Sequence, residues 1–316
     1  MMAGTMHRRR RGTRLGLAAA IAAGALATAA GQQFRAGTSV VRLPVIVTDG
    51  NGGVVRGLTR DSFVVYENGE PQQVAFFTAG APGEALPLRL GLLLDTSGSM
   101  ELDLGDAMAA VIQFIDACLE ATDVTFVDFH TTVQLGRFSP PSYPMLFERI
   151  RSREPGDRTA LYDAIGVYLQ AAAGRRGQHV LVLYTDGGDT ASSLSYSRML
   201  DMLRVSDVLV YAVGYLEHQS TGARAMQQMQ MTRVARETGG DAFFPASADA
   251  LDKAYARILD ELGARYTLGY VPAAPPKPGF HRVEVKLAAP DAHPGAKIRT
   301  RPGYVVPADG RELPRP

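Results

Sequence analysis

The middle of the chain alternates between short, continuous apolar runs and longer segments in which apolar residues recur at helical spacing. Continuous apolar runs are typical of strands that are covered on both faces, as in a parallel sheet. The four runs lie at residues 90–94, 124–129, 180–184 and 208–213. Helices are predicted at residues 106–120, 161–173, 196–204, 223–238 and 250–263. The alternation predicts an α/β domain over residues 87–263, with a doubly wound, mostly parallel sheet.

Before this domain, the pattern is that of shorter strands joined by turns. An apolar stretch over residues 40–48 ends at a cluster of Asp, Gly and Asn residues. Two further β-rich runs, at residues 63–66 and 74–77, flank Asn68 and Gly69. Because both turn residues tolerate positive φ, this pattern predicts a hairpin between the two runs.

After the domain, strands are predicted again at residues 266–271, 281–287 and 297–306. Neither β-rich flank is large enough to bury a hydrophobic core alone. We therefore predict that an N-terminal segment (34–80) and a C-terminal segment (264–306) pack together as one small β module, into which the α/β domain is inserted. Residues 307–316 are predicted to be a tail.

The N-terminus has the pattern of a secretory signal peptide. Five arginines precede an uncharged apolar run over residues 15–30, which contains small residues around Ala27 and Ala29. The alternative is an uncleaved membrane anchor, but the run is short beside the roughly 20 residues that a spanning helix needs. No cysteine follows the run, which excludes a lipoprotein anchor. We predict a signal peptide at residues 1–30 and a periplasmic or secreted protein that meets the membrane only through this export signal.

Charge and cysteine content narrow the choice of partners and sites. The formal net charge is +1, but removal of the five N-terminal arginines leaves 28 basic and 32 acidic residues, a net charge of −4. This balance disfavours a nucleic-acid partner, because binding to phosphates needs clustered Lys and Arg. Cys118 is the only cysteine, so the chain can form neither an intramolecular disulfide nor a cysteine-based zinc site. Its apolar surroundings predict a buried thiol.

Polar residues that follow two of the predicted strands could bind a divalent cation. Asp95, Ser97 and Ser99 come directly after the run at 90–94, and Asp186 follows the run at 180–184. Thr159 lies in the loop that leads into a predicted helix. In a doubly wound sheet, ligands bind at the carboxyl ends of the strands, so we expect these five residues to meet there. Carboxylates and hydroxyls are hard oxygen ligands, which suit Mg²⁺, Mn²⁺ or Ca²⁺.

These five residues resemble the metal-ion-dependent adhesion site of von Willebrand factor A domains. The pattern of that site is Asp-x-Ser-x-Ser, then a loop Thr, then an Asp at a strand end. The resemblance covers residues 88–262, and it implies that the two serines and the threonine contact the metal directly while the aspartates act largely through water. Asp157 and Arg158 depart from the pattern, because the family commonly has glycines before the threonine.

The flanking segments also resemble a known group of proteins. Residues 57–72, 266–270 and 301–304 are similar to an acidobacterial-type family of exported proteins related to von Willebrand A domains. This second resemblance implies an architecture rather than a mechanism.

We therefore predict an exported binding, adhesion or assembly protein that recognises an acidic side chain of a protein partner through the ion. The alternative is a structural scaffold of the cell envelope whose partner binding is independent of metal. A metallohydrolase is a third hypothesis, but the sequence positions no general base and has no phosphate-binding loop, His-Glu-x-x-His or Gly-x-Ser-x-Gly motif. We accordingly predict that the protein is not an enzyme. The oligomeric state is left open.

Four other polar residues near the predicted site have simpler interpretations. Asp163 and Asp189 are expected at a helix start or on the surface rather than at the metal. His130 and His179 lie at or beside strand ends, and we expect both to be structural residues with their hydrogen bonds satisfied.

Overall fold

The computed structural model of the protein describes residues 40–80, 87–118 and 121–306. Within these residues the strands are β1 (Val41–Thr48), β2 (Phe63–Glu67), β3 (Glu70–Gln72), β4 (Val74–Ala79), β5 (Leu88–Asp95), β6 (Ala121–Phe129), β7 (Val133–Phe138), β8 (Gln178–Thr185), β9 (Leu209–Gly214), β10 (Ala242–Phe243), β11 (Tyr266–Tyr270), β12 (Gly279–Leu287), β13 (Lys297–Arg299) and β14 (Gly303–Val306). The α-helices are α1 (Leu104–Ala117), α2 (Tyr143–Arg151), α3 (Leu161–Ala172), α4 (Tyr196–Val205), α5 (Thr221–Arg236) and α6 (Ala248–Ala264).

A six-stranded sheet forms the centre of the α/β domain. Its strand order is β10-β9-β8-β5-β6-β7, and every neighbouring pair is parallel except β6 and β7. Helices α1, α2 and α6 cover one face of the sheet, and helices α3 and α4 cover the other. Because both faces are covered, residues from Leu90 to Asp95 are all buried. The sheet is doubly wound and mostly parallel, which confirms the predicted fold class.

Besides the two-residue strand β10, the sequence pattern did not predict two elements of the α/β domain. Strand β7 is antiparallel to β6, and half of its side chains are exposed, so it lacks a continuous apolar run. Helix α2 has only nine residues and carries Pro144 in its first turn. Short or half-exposed elements give weak periodic signals, which is why both were missed.

The flanking strands form two four-stranded antiparallel sheets, and we call these the β module. One sheet has the order β13-β1-β11-β4, and the other has the order β14-β12-β2-β3. Each sheet therefore combines strands from before and after the α/β domain. The two sheets share a core in which Leu43, Val65 and Leu268 are fully buried. The flanks pack together as one small β module, as the fold class predicted.

Two details of the predicted β module are wrong. The turn at Asn68 (φ 51°) and Gly69 (φ 90°) joins β2 to β3 at residues 70–72, whereas the expected partner, residues 74–77, lies in β4 of the other sheet. The strand predicted over residues 297–306 is divided into β13 and β14, which lie in different sheets. Pro302 stands between them, and a proline cannot donate the hydrogen bond that a continuous central strand needs.

The predicted signal peptide (1–30) and tail (307–316) lie outside the described residues. Among the residues that are described, no helix is both long enough and apolar enough to cross a membrane.

Three arginines of the C-terminal segment join the β module to the α/β domain. Arg299 Nε donates to Gly239 O (3.0 Å), and its guanidinium also pairs with Asp241 (2.9 Å) and with Glu261 of α6. Buried Arg301 pairs with Asp207 (3.3 Å), while Arg265 donates to Gln178 at the start of β8. Since buried charges need partners, these contacts fix how the two parts of the fold meet.

The close approach of β5 and α3 allows a first test of the packing. A Cβ atom on Gly91 would overlap the ring of Tyr168, whereas a Cβ on Gly105, in α1, would meet nothing within 4 Å. We expect Gly91→Ala to lower the free energy of unfolding by about 1–3 kcal/mol through overpacking. Gly105→Ala should raise it by up to about 1 kcal/mol, because alanine is the better helix former. Urea denaturation of both variants measures the two effects, and equal values would contradict the described packing.

Candidate metal site

Three loops meet at the carboxyl edge of the central sheet. The first loop follows β5, the second precedes α3, and the third follows β8. Gly98 N donates to Asp157 O (3.1 Å) and Gly156 N donates to Thr96 O (2.6 Å), which joins the first loop to the second. Thr159 N donates to Thr190 Oγ1 (2.9 Å), which joins the second loop to the third. The structure therefore brings together all three segments that carry the predicted ligands.

Asp95 is the most enclosed of the five predicted residues. It is fully buried, and its two carboxylate oxygens accept hydrogen bonds from Ser97 N (2.9 Å) and Thr185 Oγ1 (2.5 Å). The pKa of Asp95 is raised to about 7, mainly by burial and to a smaller extent by the charge of Asp186, while the hydrogen bonds from Thr185 and Ser97 act in the opposite direction. This carboxylate is held in a fixed orientation, but its negative charge is poorly solvated.

Asp186 lies on the same edge of the sheet, close enough for its charge to raise the pKa of Asp95. Only 2% of its surface is exposed. Its oxygens accept hydrogen bonds from Gln219 Nε2 (2.8 Å) and Gly188 N (3.2 Å). Two buried carboxylates therefore lie at one edge of the sheet, close enough to interact electrostatically, and neutral hydrogen-bond donors fix their orientation.

The three predicted hydroxyl ligands lie on the first and second of the three loops. Ser97 Oγ and Ser99 Oγ are 3.1 Å apart, and Ser99 is exposed at the rim while Ser97 is buried. Thr159 is also buried, and its backbone carbonyl accepts hydrogen bonds from the backbone of the third loop. Its hydroxyl forms no hydrogen bond within the described part of the chain, so it is available to a ligand.

The donor set fits a hard divalent cation. Among the described residues, neither Asp95 nor Asp186 forms an ion pair with an arginine, lysine or histidine. Two buried carboxylates that interact with each other are unfavourable in their charged forms unless a cation neutralises them, and hydroxyl oxygens complete an oxygen-only ligand set. No cluster of three or more His, Cys, Asp or Glu that could hold a metal occurs in the described ranges. The candidate site offers two carboxylates, and hydroxyls would have to supply its remaining ligands.

Two residues that contact the site were not identified from the sequence. Thr185, the last residue of β8, donates to Asp95 and accepts a hydrogen bond from Gly187 N (3.0 Å). Gln219 reaches Asp186 from the loop after β9. A polar residue at the end of a buried strand was a usable signal for Thr185. Nothing in the sequence distinguished Gln219 from any other loop glutamine.

Asp163 and Asp189, which were not expected to bind the metal, accept hydrogen bonds from backbone N–H groups near the site. Asp163 accepts hydrogen bonds from Ser193 N (2.9 Å) and Leu194 N (2.8 Å), and Asp189 accepts one from Tyr162 N (3.3 Å). These contacts fasten the third loop to the start of α3.

The two histidines differ from one another. His179 Nε2 lies 3.0 Å from Arg175 O, and burial lowers the pKa of its ring. His130 has a long contact from Nε2 to Thr132 Oγ1 (3.4 Å), but its Nδ1 is buried without a hydrogen-bond partner among the described residues. The expectation of a fully satisfied ring was therefore wrong for His130. Gly156 packs directly against the ring on the side of Nδ1.

The sequence of the α/β domain matches a known family. A family model for the von Willebrand factor type A domain matches residues 90–257, which is more than half of the chain. The chain belongs to the von Willebrand factor type A domain family. The match begins inside β5 and ends inside α6, so the von Willebrand A domain contains all three loops of the site. No curated protein sequence matches the chain.

Solved structures with some similarity come from several bacteria. A von Willebrand factor type A protein from Catenulispora acidiphila is 12% identical, with a TM-score of 0.47, and the alignment covers 87% of this chain and 76% of that one. The von Willebrand domain of the type V pili tip protein Mfa5 from Porphyromonas gingivalis is 12% identical, with a TM-score of 0.45 and coverages of 56% and 96%. BatB from Bacteroides thetaiotaomicron is 15% identical, with a TM-score of 0.43 and coverages of 54% and 97%.

Proposed function

We propose that this protein is an exported, non-enzymatic binding protein whose von Willebrand A domain holds one divalent cation, Mg²⁺ or a similar ion. Asp95, Ser97, Ser99, Thr159 and Asp186 would hold the ion, and a carboxylate of a protein partner would bind to it. The observation that carries this proposal is the pair of buried carboxylates at one edge of the sheet, which interact electrostatically and have no cationic partner among the described residues. Export is supported by the sequence of residues 1–30 alone.

The residues around the site would position the ligands before the ion arrives. Ser97 N and Thr185 Oγ1 orient Asp95, while Gln219 and Gly188 orient Asp186. Hydroxyls are neutral ligands, so the ion keeps enough positive charge to attract an outside carboxylate. Ser99 is exposed, which supports an approach to the ion from the side of the first loop. A partner's Asp or Glu side chain can approach there.

A capture experiment with chelator tests this function. Envelope proteins from the producing cell are passed over the immobilised full chain in buffer with Mg²⁺, with EDTA, and with EDTA followed by excess Mg²⁺. We expect EDTA to release a bound partner and excess Mg²⁺ to restore its binding. The Asp186→Asn chain should not retain this partner. Partners that bind equally in all three buffers would refute cation-dependent recognition and favour the metal-independent scaffold.

Mg²⁺ affinity is expected to depend on pH in a defined direction. With its pKa raised to about 7, Asp95 is largely protonated at lower pH and must lose this proton when the ion binds. The affinity should therefore fall by about tenfold for each pH unit below about 7 and level off above it. Calorimetry in buffers of different ionisation enthalpy measures the proton that is released. An affinity that is constant across this range would contradict the assignment of Asp95 as a ligand.

A further inference from the structure

A groove of about 980 Å³ separates helix α5 from the β module, on a part of the surface that the metal site does not use. Gln228, Met229, Thr232, Arg233 and Arg236 of α5 line one wall. The opposite wall is formed by residues 283–285 of β12, and residues 300–302 form the floor. The groove lies within the described residues and is open along its length.

One wall of this groove is an open sheet edge. Strand β14 pairs with β12 only at residues 279–282, so β12 continues beyond its neighbour. Val283 N donates to Pro302 O (2.9 Å), whereas Arg282 exchanges hydrogen bonds with Asn68 on the β2 side. Because peptide groups alternate in direction along a strand, the N–H and C=O of Val285 point to the same side as those of Val283. No strand of the described chain pairs with Val285 there.

The groove has an excess of positive charge. Four arginines and two glutamates line it, at positions 233, 236, 299, 301, 237 and 284, and the arginines at 299 and 301 are already paired with carboxylates of the α/β domain. Glu237 is already bound by Arg204 through two hydrogen bonds (3.0 and 2.8 Å). Arg236 is exposed and forms no ion pair with any described residue, and Arg233 has only a 3.6 Å contact to Glu237. Two guanidinium groups on α5 can therefore bind outside carboxylates.

Apolar and polar groups beside these arginines complete a surface suited to a peptide. Met229 is 65% exposed and lines the groove near Phe244. Methionine side chains adapt readily to apolar side chains of a ligand. On the floor, the hydroxyl of Thr300 is buried and has no hydrogen-bond partner among the described residues. Buried hydroxyls without a partner are uncommon.

We propose that this groove binds an extended, acidic segment of a protein partner, which adds to the open edge of β12 as a further strand. Backbone hydrogen bonds to Val285 would fix the direction and register of the segment. Its acidic side chains would bind Arg233 and Arg236, and its apolar side chains would pack against Met229. This site requires no cation, so it is independent of the proposed metal site.

Fluorescence anisotropy with synthetic peptides tests this proposal on the purified full chain. The probe is a fluorescein-labelled peptide of alternating valine and glutamate, compared with its valine–lysine counterpart and with a version methylated at alternate backbone nitrogens. We expect saturable binding of the glutamate peptide only. The double substitution Arg233→Glu and Arg236→Glu should weaken it by about tenfold or more, and Arg236→Gln should weaken it less. Arg198→Glu, an exposed arginine on α4, is the matched control and should have no effect.

Each other outcome would overturn the groove assignment. Failure of the glutamate peptide to bind, or equal binding of the lysine peptide, would refute charge recognition. Undiminished binding of the methylated peptide would refute strand addition. Release by EDTA would place the peptide at the metal site instead. If the chain dimerises as its concentration rises, and if the Arg236→Glu variant stays monomeric, the groove would be assigned to a second copy of the chain.

Discussion

Replacing Asp95 with asparagine is expected to stabilise the metal-free protein and, at the same time, to abolish its response to Mg²⁺. Burial raises the pKa of this carboxyl from 3.8 to about 7. In the unfolded chain Asp95 ionises near its ordinary pKa, while in the folded chain it stays protonated until about pH 7. The unfolded state therefore binds fewer protons between these values, and the metal-free wild type loses stability as pH rises through this window.

The size of this effect follows from the difference between the two pKa values. Ionised Asp95 costs the metal-free fold up to about 4 kcal/mol at about pH 8, and asparagine avoids most of that cost while keeping the side chain's shape. Urea denaturation at about pH 8 in EDTA should show the variant to be the more stable protein. In excess Mg²⁺ the wild type should become more stable and the variant should not. An ion that binds only the folded state raises the free energy of unfolding, and the variant lacks the carboxylate that binds the ion.

Asp116→Asn is the control for this experiment, since Asp116 is exposed on α1. It should change neither the stability in EDTA nor the response to Mg²⁺. A variant at Asp95 that is less stable than the wild type in EDTA at high pH would show that the carboxylate is not strained by burial.

Replacing Glu261 with alanine is expected to lower the free energy of unfolding by about 3–5 kcal/mol. Glu261 is 0% exposed, and its carboxylate accepts hydrogen bonds from Arg257 Nε (2.8 Å), from Tyr211 OH (3.0 Å) and from Arg299. Alanine would remove one of the two carboxylates that pair with the mostly buried guanidinium of Arg299, leaving only Asp241. Arg299 belongs to the β module, so the loss should weaken the junction between the two parts of the fold.

The neighbouring residue offers a matched control. Asp260 pairs with Arg56, but both side chains are about half exposed. Asp260→Ala should therefore cost less than about 1 kcal/mol. Chemical denaturation of both variants compares a buried with an exposed carboxylate at adjacent positions in α6. Similar losses for the two would contradict the interface described for Arg299.

Sequence patterns predicted the parts of the fold in which burial is complete. Strands β5, β6, β8 and β9 are covered on both faces, so their apolar runs are continuous and were identified correctly. Strand β7 is half exposed, so it has no such run. The strand predicted over residues 297–306 divides at Pro302 because β13 and β14 pair with strands of different sheets. Pairing between distant segments decides such features, and a single sequence does not contain that information in periodic form.

In the candidate site, too, some residues could be predicted from the sequence and others could not. Asp95, Ser97, Ser99, Thr159 and Asp186 could be chosen because each follows a strand or precedes a helix in a fold whose strands end at one edge. The hydrogen bonds from Thr185 and Gln219 depend on side-chain geometry across the edge, so they required the structure. The groove beside α5 was not foreseen at all, since its two walls, on α5 and β12, come from segments more than forty residues apart in the chain.

Calorimetric titration of Mg²⁺ into the metal-free full chain, repeated with Asp95→Ala, tests the central claim most directly. We predict saturable heat corresponding to one ion per chain for the wild type and no saturable heat for the variant. Equal heats from the two proteins, or none from the wild type, would contradict a cation site at the carboxyl edge of the central sheet.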